Sequence, residues 1–120
     1  MKKILLIDDD EMNLKSLNRL LIEWEYATDA FLCPSLISQE ILNNDYYCAI
    51  VDYKLPYSDG IEVLDLLMKH NRNIIPILIS GFEIDERLIR EAQERYIFFL
   101  DKPIKIELLK QIININLEKK

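Results

Sequence analysis

The chain has 120 residues, of which 50% are hydrophobic and 30% are charged, and it contains two glycines and four prolines. This length and composition are typical of a globular domain with one hydrophobic core and exclude a largely disordered or low-complexity chain. The formal net charge of −6 at pH 7 disfavours direct nucleic-acid binding, because phosphate neutralisation requires clustered lysine and arginine side chains.

The first apolar segment is short. Residues 4–7 are apolar and are followed by the acidic residues 8–10, so the segment is shorter than the roughly 7–15 apolar residues of a secretion signal. No other segment approaches the roughly 20 apolar residues of a membrane span. We therefore expect a cytoplasmic protein with no membrane partner, in which residues 4–7 form a buried strand.

Apolar runs and helical periods alternate along the rest of the chain. The predicted strands are residues 4–7, 27–33, 48–51, 75–79 and 96–100, and helices are predicted at residues 11–25, 34–44 and 104–118 and around the apolar positions of residues 61–68 and 84–92. Strands that alternate with helices in this way imply a doubly wound α/β sheet with right-handed crossovers. No linker or repeat interrupts the pattern, so we expect residues 1–120 to form one complete domain.

Four polar or sulfur-containing residues are assigned structural roles. Cys33 and Cys48 lack the CxxC spacing of a redox or metal site, so we interpret both as buried apolar residues. Asp10 stands directly before a predicted helix, where an aspartate is expected to cap the helix N-terminus. We interpret His70, near the end of a helix, as a solvated residue that complements the helix dipole.

Polar side chains follow four of the predicted strands at their carboxyl ends, where ligands bind in α/β sheets. Asp8 and Asp9 follow the first strand, and Asp52 follows the third. Ser80 follows the fourth strand and Lys102 the fifth. If these four strands are neighbours in the sheet, the five groups converge on one cleft.

The chemistry of these five groups favours phosphoryl transfer. Three carboxylates held close together repel one another, so a divalent cation and a lysine are expected to neutralise them. Oxygen ligands with room for water and phosphate favour Mg²⁺ over zinc or a full calcium cage. Asp52 would then attack phosphorus, while Lys102 and the Ser80 hydroxyl stabilise the equatorial oxygens.

Four motifs in order resemble a response-regulator receiver domain of two-component signalling. They are Ile-Asp-Asp-Asp at 7–10, Val-Asp-Tyr-Lys-Leu-Pro-x-x-Asp-Gly at 51–60, Ile-Ser-Gly at 79–81 and Leu-Asp-Lys-Pro at 100–103. The resemblance covers nearly the whole chain and implies a flavodoxin-like, five-stranded parallel sheet with strand order 2-1-3-4-5 and five helices. It also implies that Asp52 accepts a phosphoryl group from a sensor histidine kinase or a histidine phosphotransfer protein.

The resemblance further implies a magnesium site and a limited catalytic activity. By motif position, Asp9 and Asp52 resemble direct Mg²⁺ ligands, with Asp8 acting through water. The main-chain carbonyl of Lys54 resembles the remaining protein ligand. A protein of this kind catalyses its own phosphorylation and slow dephosphorylation, but acts primarily as a signalling switch.

Ser80 and Phe99 resemble the two switch residues of the family, a hydroxyl that moves towards the phosphoryl group and an aromatic that follows it. The Lys102–Pro103 bond resembles the family's cis peptide. Phe82, like Lys54, stands where receiver side chains influence the access of hydrolytic water, and it is either a shield or an ordinary loop aromatic. The chain departs from the family pattern at residues 94–96, where a glycine-containing turn is common.

The last predicted helix carries two adjoining apolar stripes, although one stripe is enough for a core-facing helix. Either neighbouring helices cover both stripes, or one contributes to a surface for a downstream protein or a homodimer on the face of helix 4, strand 5 and helix 5. One stripe consists of Ile104, Leu108, Ile112 and Ile115, and the other consists of Ile106, Leu109, Ile113 and Leu117.

Three other functions compete with the receiver interpretation. A pseudo-receiver would keep the fold as an interaction module without phosphotransfer, but the residues that phosphotransfer needs are all present. A phosphatase of the haloacid dehalogenase type would resemble Asp-x-Asp at the nucleophile, whereas Asp52 is followed by Tyr53 and Lys54. A flavin-binding flavodoxin is disfavoured because Asp8 and Asp9 would repel the flavin phosphate.

Overall fold

The computed structural model of the protein describes residues 2–33, 39–81 and 85–118, of which residues 40, 41 and 116–118 are described by their backbone alone. The strands are β1 (Lys3–Ile7), β2 (Ala27–Phe31), β3 (Cys48–Asp52), β4 (Lys54–Leu55), β5 (Ser58–Asp59), β6 (Ile75–Ser80) and β7 (Phe98–Asp101). The helices are α1 (Glu11–Glu23), α2 (Gln39–Leu42), α3 (Gly60–His70), α4 (Glu86–Glu94) and α5 (Ile106–Glu118).

Five strands form one parallel sheet in the order β2-β1-β3-β6-β7. Numbered without the short β4 and β5, these are strands 2-1-3-4-5, so the predicted flavodoxin-like fold is confirmed. The chain leaves β1 for β2 on one side and returns to β3 on the other. The carboxyl ends of β1 and β3 therefore lie at the topological switch point, where such sheets bind ligands.

Helices cover both faces of the sheet, which explains why its central strands are apolar in almost every position. On one face, alternate strand residues such as Leu5 and Leu78 pack with Leu64 of α3 and Leu88 of α4. On the other face, the remaining strand residues pack with α1 and α5. This second core includes Ile4, Ile50, Ile77, Leu21 and Leu109.

The last strand of the sheet begins later than predicted, at Phe98 instead of Tyr96. Tyr96 has a φ of 58°, in the left-handed region, and it ends α4 in a Schellman motif. Its N–H donates to the carbonyl of Gln93 at 3.1 Å, and the N–H of Ile97 donates to Ala92 at 2.9 Å. The prediction was wrong here because these helix-ending hydrogen bonds override the strand propensity of tyrosine.

Other predicted boundaries differ from the structure by a few residues. Helix α1 ends at Glu23 because Glu25, with a φ of 70°, terminates it in the same way as Tyr96 terminates α4. Strand β2 ends at Phe31 instead of residue 33, and α5 begins at Ile106 instead of residue 104. The second helix is described over Gln39–Leu42, and the start predicted for it lies outside the described residues.

The short hairpin of β4 and β5 was not predicted. Lys54 pairs with Asp59 and Leu55 pairs with Ser58 across an antiparallel turn. Pro56 and Tyr57 are the two central residues of the turn, and Tyr57 has a φ of 64°. This is the arrangement of a type II turn. The hairpin carries the chain from the end of β3 to the start of α3.

Helix α5 draws its core-facing residues from both predicted stripes. Its buried residues are Leu109, Ile112 and Ile113, whereas Ile106, Leu108 and Ile115 are 51%, 42% and 37% exposed. The side chain of Leu117 lies outside the description. Neighbouring elements therefore do not cover both stripes completely.

Several local predictions are confirmed. The Asp10 side chain caps α1 by accepting from the N–H groups of Met12 and Asn13 at 3.0 and 3.3 Å. Cys48 is buried as predicted and forms no disulfide with Cys33, which is only half-buried instead of buried. His70 is exposed in the last turn of α3. Within the described ranges, none of the helices combines the length and hydrophobicity that a bilayer span requires.

Candidate functional site

The carboxyl ends of four neighbouring strands bring the predicted site residues together. Asp8 and Asp9 follow β1, Asp52 ends β3, Ser80 ends β6 and Lys102 follows β7. Four of them line a cleft of about 480 Å³. The fifth, Asp8, lies next to the cleft and contacts Lys102. The cleft is also lined by Tyr53, Lys54, Gly81, Asp85 and Leu88.

Lys102 lies between the two buried carboxylates of the site. Its Nζ is 3.4 Å from Oδ2 of Asp52 and 3.6 Å from Oδ2 of Asp8. Asp8 and Asp52 are only 7% and 6% exposed, so water screens these charges poorly. Among the described side chains, the Lys102 ammonium is therefore the group that offsets the charge of the two buried carboxylates.

One lysine does not fully balance the negative charge at Asp52. Burial is the largest influence on this carboxyl and raises its pKa from 3.8 to about 6, helped by the charges of Asp8 and Asp9. Lys102 acts in the opposite direction and lowers the pKa. The remaining excess of negative charge favours a site that gains a cation.

Three carboxylates are close enough to share a metal ion. One oxygen each from Asp8, Asp9 and Asp52 lies within 4.8 Å of the other two. Oδ1 of Asp8 accepts a hydrogen bond from the N–H of Asp10 at 2.9 Å, which fixes the orientation of the side chain. An oxygen-only donor set at the mouth of an open cleft suits a hard divalent cation.

The backbone around Asp52 is held firmly. The N–H of Tyr53 donates to the carbonyl of Ile79 at 2.7 Å, and the carbonyl of Tyr53 accepts from the N–H of Gly60 at 2.8 Å. A Cβ atom at Gly60 would lie 2.6 Å from the carbonyl oxygen of Asp52. Glycine is therefore required where α3 begins, because its backbone approaches the end of β3 so closely.

Lys102 is positioned by the neighbouring strand end. Its N–H donates to the carbonyl of Ser80 at 2.9 Å, and its side chain passes over Gly81, where an added Cβ would lie 3.0 Å from the lysine Cδ. The Lys102–Pro103 peptide bond is cis, as the resemblance implied. Ser80 and Lys102 consequently lie side by side at the cleft.

The two predicted switch residues lie on adjacent strands. Ser80 is 5% exposed and lines the cleft at the end of β6. Phe99 of β7 is half-buried, and it packs against the core that α3 and α4 cover. Phe99 pairs in register with Leu78, two residues before Ser80. Phe82 lies outside the described residues.

Sequence reasoning gave no role to Tyr53 or Asp85, both of which line the cleft. Asp85 caps α4 by accepting from the N–H of Arg87 at 3.0 Å, and a capping pattern would have identified it. The sequence signal for Tyr53 was its position directly after Asp52. Both residues connect the cleft to the start of α4.

The comparisons with known proteins agree with this geometry. The family model of the response regulator receiver domain matches residues 4–114. The 3',5'-cyclic-nucleotide phosphodiesterase regA of Dictyostelium discoideum is 32% identical over 93% of this chain and 15% of its own length. The transcriptional regulatory protein FixJ of Bradyrhizobium diazoefficiens is 32% identical over 92% of this chain and 54% of its own length.

The chain thus spans little more than half the length of FixJ and much less of regA. Among solved structures, a response regulator receiver domain protein from Clostridium thermocellum superimposes with a TM-score of 0.85 at 26% identity, covering 99% of this chain and 98% of that one. The family match extends over nearly the whole sequence and includes every residue of the cleft. The chain therefore belongs to the response regulator receiver domain family.

Proposed function

We propose that this receiver domain takes a phosphoryl group onto Asp52 from a sensor histidine kinase or a histidine phosphotransfer protein. The observation that carries the proposal is the buried Asp52 carboxylate, 3.4 Å from the Lys102 ammonium and beside the carboxylates of Asp8 and Asp9. Such a site holds a nucleophile and its counter-charge in place before the phosphoryl group arrives.

The transfer needs no general base. With a pKa of about 6, the Asp52 carboxyl is roughly nine-tenths ionised at pH 7. A carboxylate oxygen forms a bond to phosphorus as the bond from phosphorus to the donor's histidine nitrogen breaks, and the electron pair stays on that nitrogen. Lys102 would stabilise the phosphoryl oxygens by charge and Ser80 by hydrogen bonding. Attack of water on phosphorus later restores the carboxylate and releases inorganic phosphate.

We propose Mg²⁺ as the divalent cation of this site. Asp9 and Asp52 would bind it directly, Asp8 would act through water, and the carbonyl of Lys54 would complete the protein ligands. The closely spaced oxygen atoms of the three carboxylates support this assignment. The bound cation would supply positive charge that stabilises the phosphoryl oxygens during transfer.

The proposed output is a change on the face formed by α4, β7 and α5. Ser80 would move towards the phosphoryl group, and Phe99 on the adjacent strand would follow by repacking. The exposed Ile106, Leu108 and Ile115 provide apolar area on this face for a downstream protein or a second copy of the chain.

We propose that residues 1–120 act as one domain. We place this domain in the cytoplasm, where histidine kinases use ATP.

A chemical phosphodonor tests the proposal without a cognate kinase. The protein is incubated with acetyl phosphate and Mg²⁺, and an acid-stable, base-labile phosphoryl adduct is expected. Chelation of Mg²⁺ should greatly reduce the adduct, and Asp52→Asn should abolish it. No adduct in the unmodified protein would favour the pseudo-receiver instead, and an adduct of equal yield in Asp52→Asn would overturn Asp52 as the phosphoryl acceptor.

The homodimer form of the output has its own test. Sedimentation equilibrium measures the mass before and after treatment with acetyl phosphate and Mg²⁺. A dimer on this face predicts a mass that rises with concentration after phosphorylation, and Leu108→Lys should prevent the rise. A monomer mass at every concentration in both states would leave a different downstream protein as the partner.

A further inference from the structure

Tyr53 connects the residue at the centre of the cleft to a helix on the output face. Its backbone is fixed on both sides, since its N–H donates to Ile79 at 2.7 Å and its carbonyl accepts from Gly60 at 2.8 Å. It follows Asp52 directly in the chain. A displacement of Asp52 would therefore move the base of the Tyr53 side chain with it.

The Tyr53 side chain extends to the first turns of α4. It lines the cleft together with Asp85 and Leu88, and it packs against the core cluster that contains Leu88 and Ala92. Its phenol also interacts electrostatically with the Arg87 and Glu91 side chains, which form an ion pair on α4.

Burial is the largest influence on this phenol and raises its pKa, and the negative charges of Asp59 and Glu91 act in the same direction. Both the apolar contacts and the charged neighbours thus place the ring between the end of β3 and α4. A phenylalanine at this position would keep the apolar part of this packing.

Helix α4 is attached differently at its two ends. At its C-terminal end, Nε of Arg95 lies 3.0 Å from Oδ2 of Asp65 on α3, and Nη1 of Arg95 donates to the carbonyl of Glu91 at 3.1 Å. At its N-terminal end, Leu88 and the Asp85 cap line the cleft together with Tyr53. A change at Tyr53 would thus act on the end of α4 that is not tied to α3 by this ion pair.

We propose that Tyr53 is a positioning residue whose ring transmits the occupancy of Asp52 to the first turns of α4, alongside the route through Ser80 and Phe99. The inference rests on the proposed phosphorylation of Asp52. It links α4 to the residue that directly follows the phosphoryl acceptor in the chain, whereas Phe99 packs against the same core cluster from β7.

Hydrogen–deuterium exchange of α4 tests this link. The full chain is saturated with Mg²⁺ and beryllofluoride, a phosphoryl mimic, and saturation is verified by fluorine NMR. We expect occupancy to change exchange in residues 86–95 by about threefold or more in the unmodified protein and in Tyr53→Phe, which keeps the ring. In Tyr53→Ala the change should fall below about 1.5-fold, while Phe99→Ala should retain most of it.

The controls separate this inference from the function on which it rests. Tyr53→Leu, which keeps an apolar side chain without a ring, should lose the response as Tyr53→Ala does, and it serves if the alanine variant does not fold. An undiminished response in saturated Tyr53→Ala or Tyr53→Leu, or a response lost in Tyr53→Phe, would overturn the inference alone. Failure of beryllofluoride to bind the unmodified protein would overturn the proposed function and this inference with it.

Discussion

Burial disfavours the ionised form of the Asp52 carboxyl, and this affects the stability of the folded protein. Its pKa in the folded protein is about 6, above the ordinary value of 3.8, so the folded state binds the proton more tightly than the unfolded state. The resulting stabilisation is fully present below about pH 4 and is lost as the pH rises through 6. Without a metal ion, ionised Asp52 therefore opposes folding at neutral pH.

We predict that Asp52→Asn stabilises the metal-free protein. The difference between a pKa of about 6 and 3.8 corresponds to roughly 3 kcal/mol of unfolding free energy at pH 7, and to roughly 1 kcal/mol at pH 4.5. Urea denaturation in a chelator measures both values. A variant less stable than the unmodified protein at pH 7 would contradict the electrostatic account of the cleft.

At the scale of elements, the connection from β3 to α3 depends on close backbone contact at Gly60. A Cβ there would lie 2.6 Å from both the Asp52 carbonyl oxygen and Cδ1 of Leu78. We expect Gly60→Ala to lower the unfolding free energy by about 1–3 kcal/mol. Gly81→Ala is the matched control, because the nearest described atoms to its Cβ belong to the flexible Lys102 side chain. Equal losses in urea denaturation of the two variants would argue against a specific backbone clash.

Two helices end in the left-handed conformation without glycine. Tyr96 ends α4 with a φ of 58° and is 87% exposed, so its side chain contributes little burial. We expect Tyr96→Gly to raise the unfolding free energy by about 0.5–1 kcal/mol, since glycine adopts this conformation without strain. Thermal or urea denaturation measures the change. A destabilised Tyr96→Gly would mean that the tyrosine ring makes a contact that outweighs the strain.

The order and type of the main elements were predictable from sequence, because buried parallel strands and amphipathic helices have distinct apolar patterns. The exact ends were less predictable. Tyr96 has strand propensity but serves a helix end, and the β4–β5 hairpin is too short to carry an apolar period. In α5, periodicity identified two stripes, but the rotation that buries Leu109 and Ile113 is set by packing against the sheet.

At the scale of the whole molecule, the site exists only because the sheet order brings distant segments together. Asp8, Asp52, Ser80 and Lys102 are far apart in the chain but end neighbouring strands β1, β3, β6 and β7. Their convergence could be predicted from strand-end positions alone, because parallel strands share one carboxyl edge. The contact of Tyr53 with α4 could not, since it depends on how the helix sits on the folded sheet.

The fold also accounts for the exposed apolar residues of α5. Leu109, Ile112 and Ile113 are enough to cover the sheet beside α1, which leaves Ile106, Leu108 and Ile115 outside the core. In the sheet, only β6 lies between β3, which ends at Asp52, and β7, which carries Phe99.

Mapping the modified residue tests whether Asp52 is the phosphoryl acceptor. The folded protein is phosphorylated with acetyl phosphate and Mg²⁺ and reduced with borohydride, which converts an aspartyl phosphate to homoserine, and the peptides are then sequenced by mass spectrometry. We expect homoserine at position 52 in the folded protein and none when the same reaction is run in denaturing urea. Homoserine at Asp8 or Asp9, or equal labelling of the unfolded chain, would contradict the assignment of Asp52 as the phosphoryl acceptor.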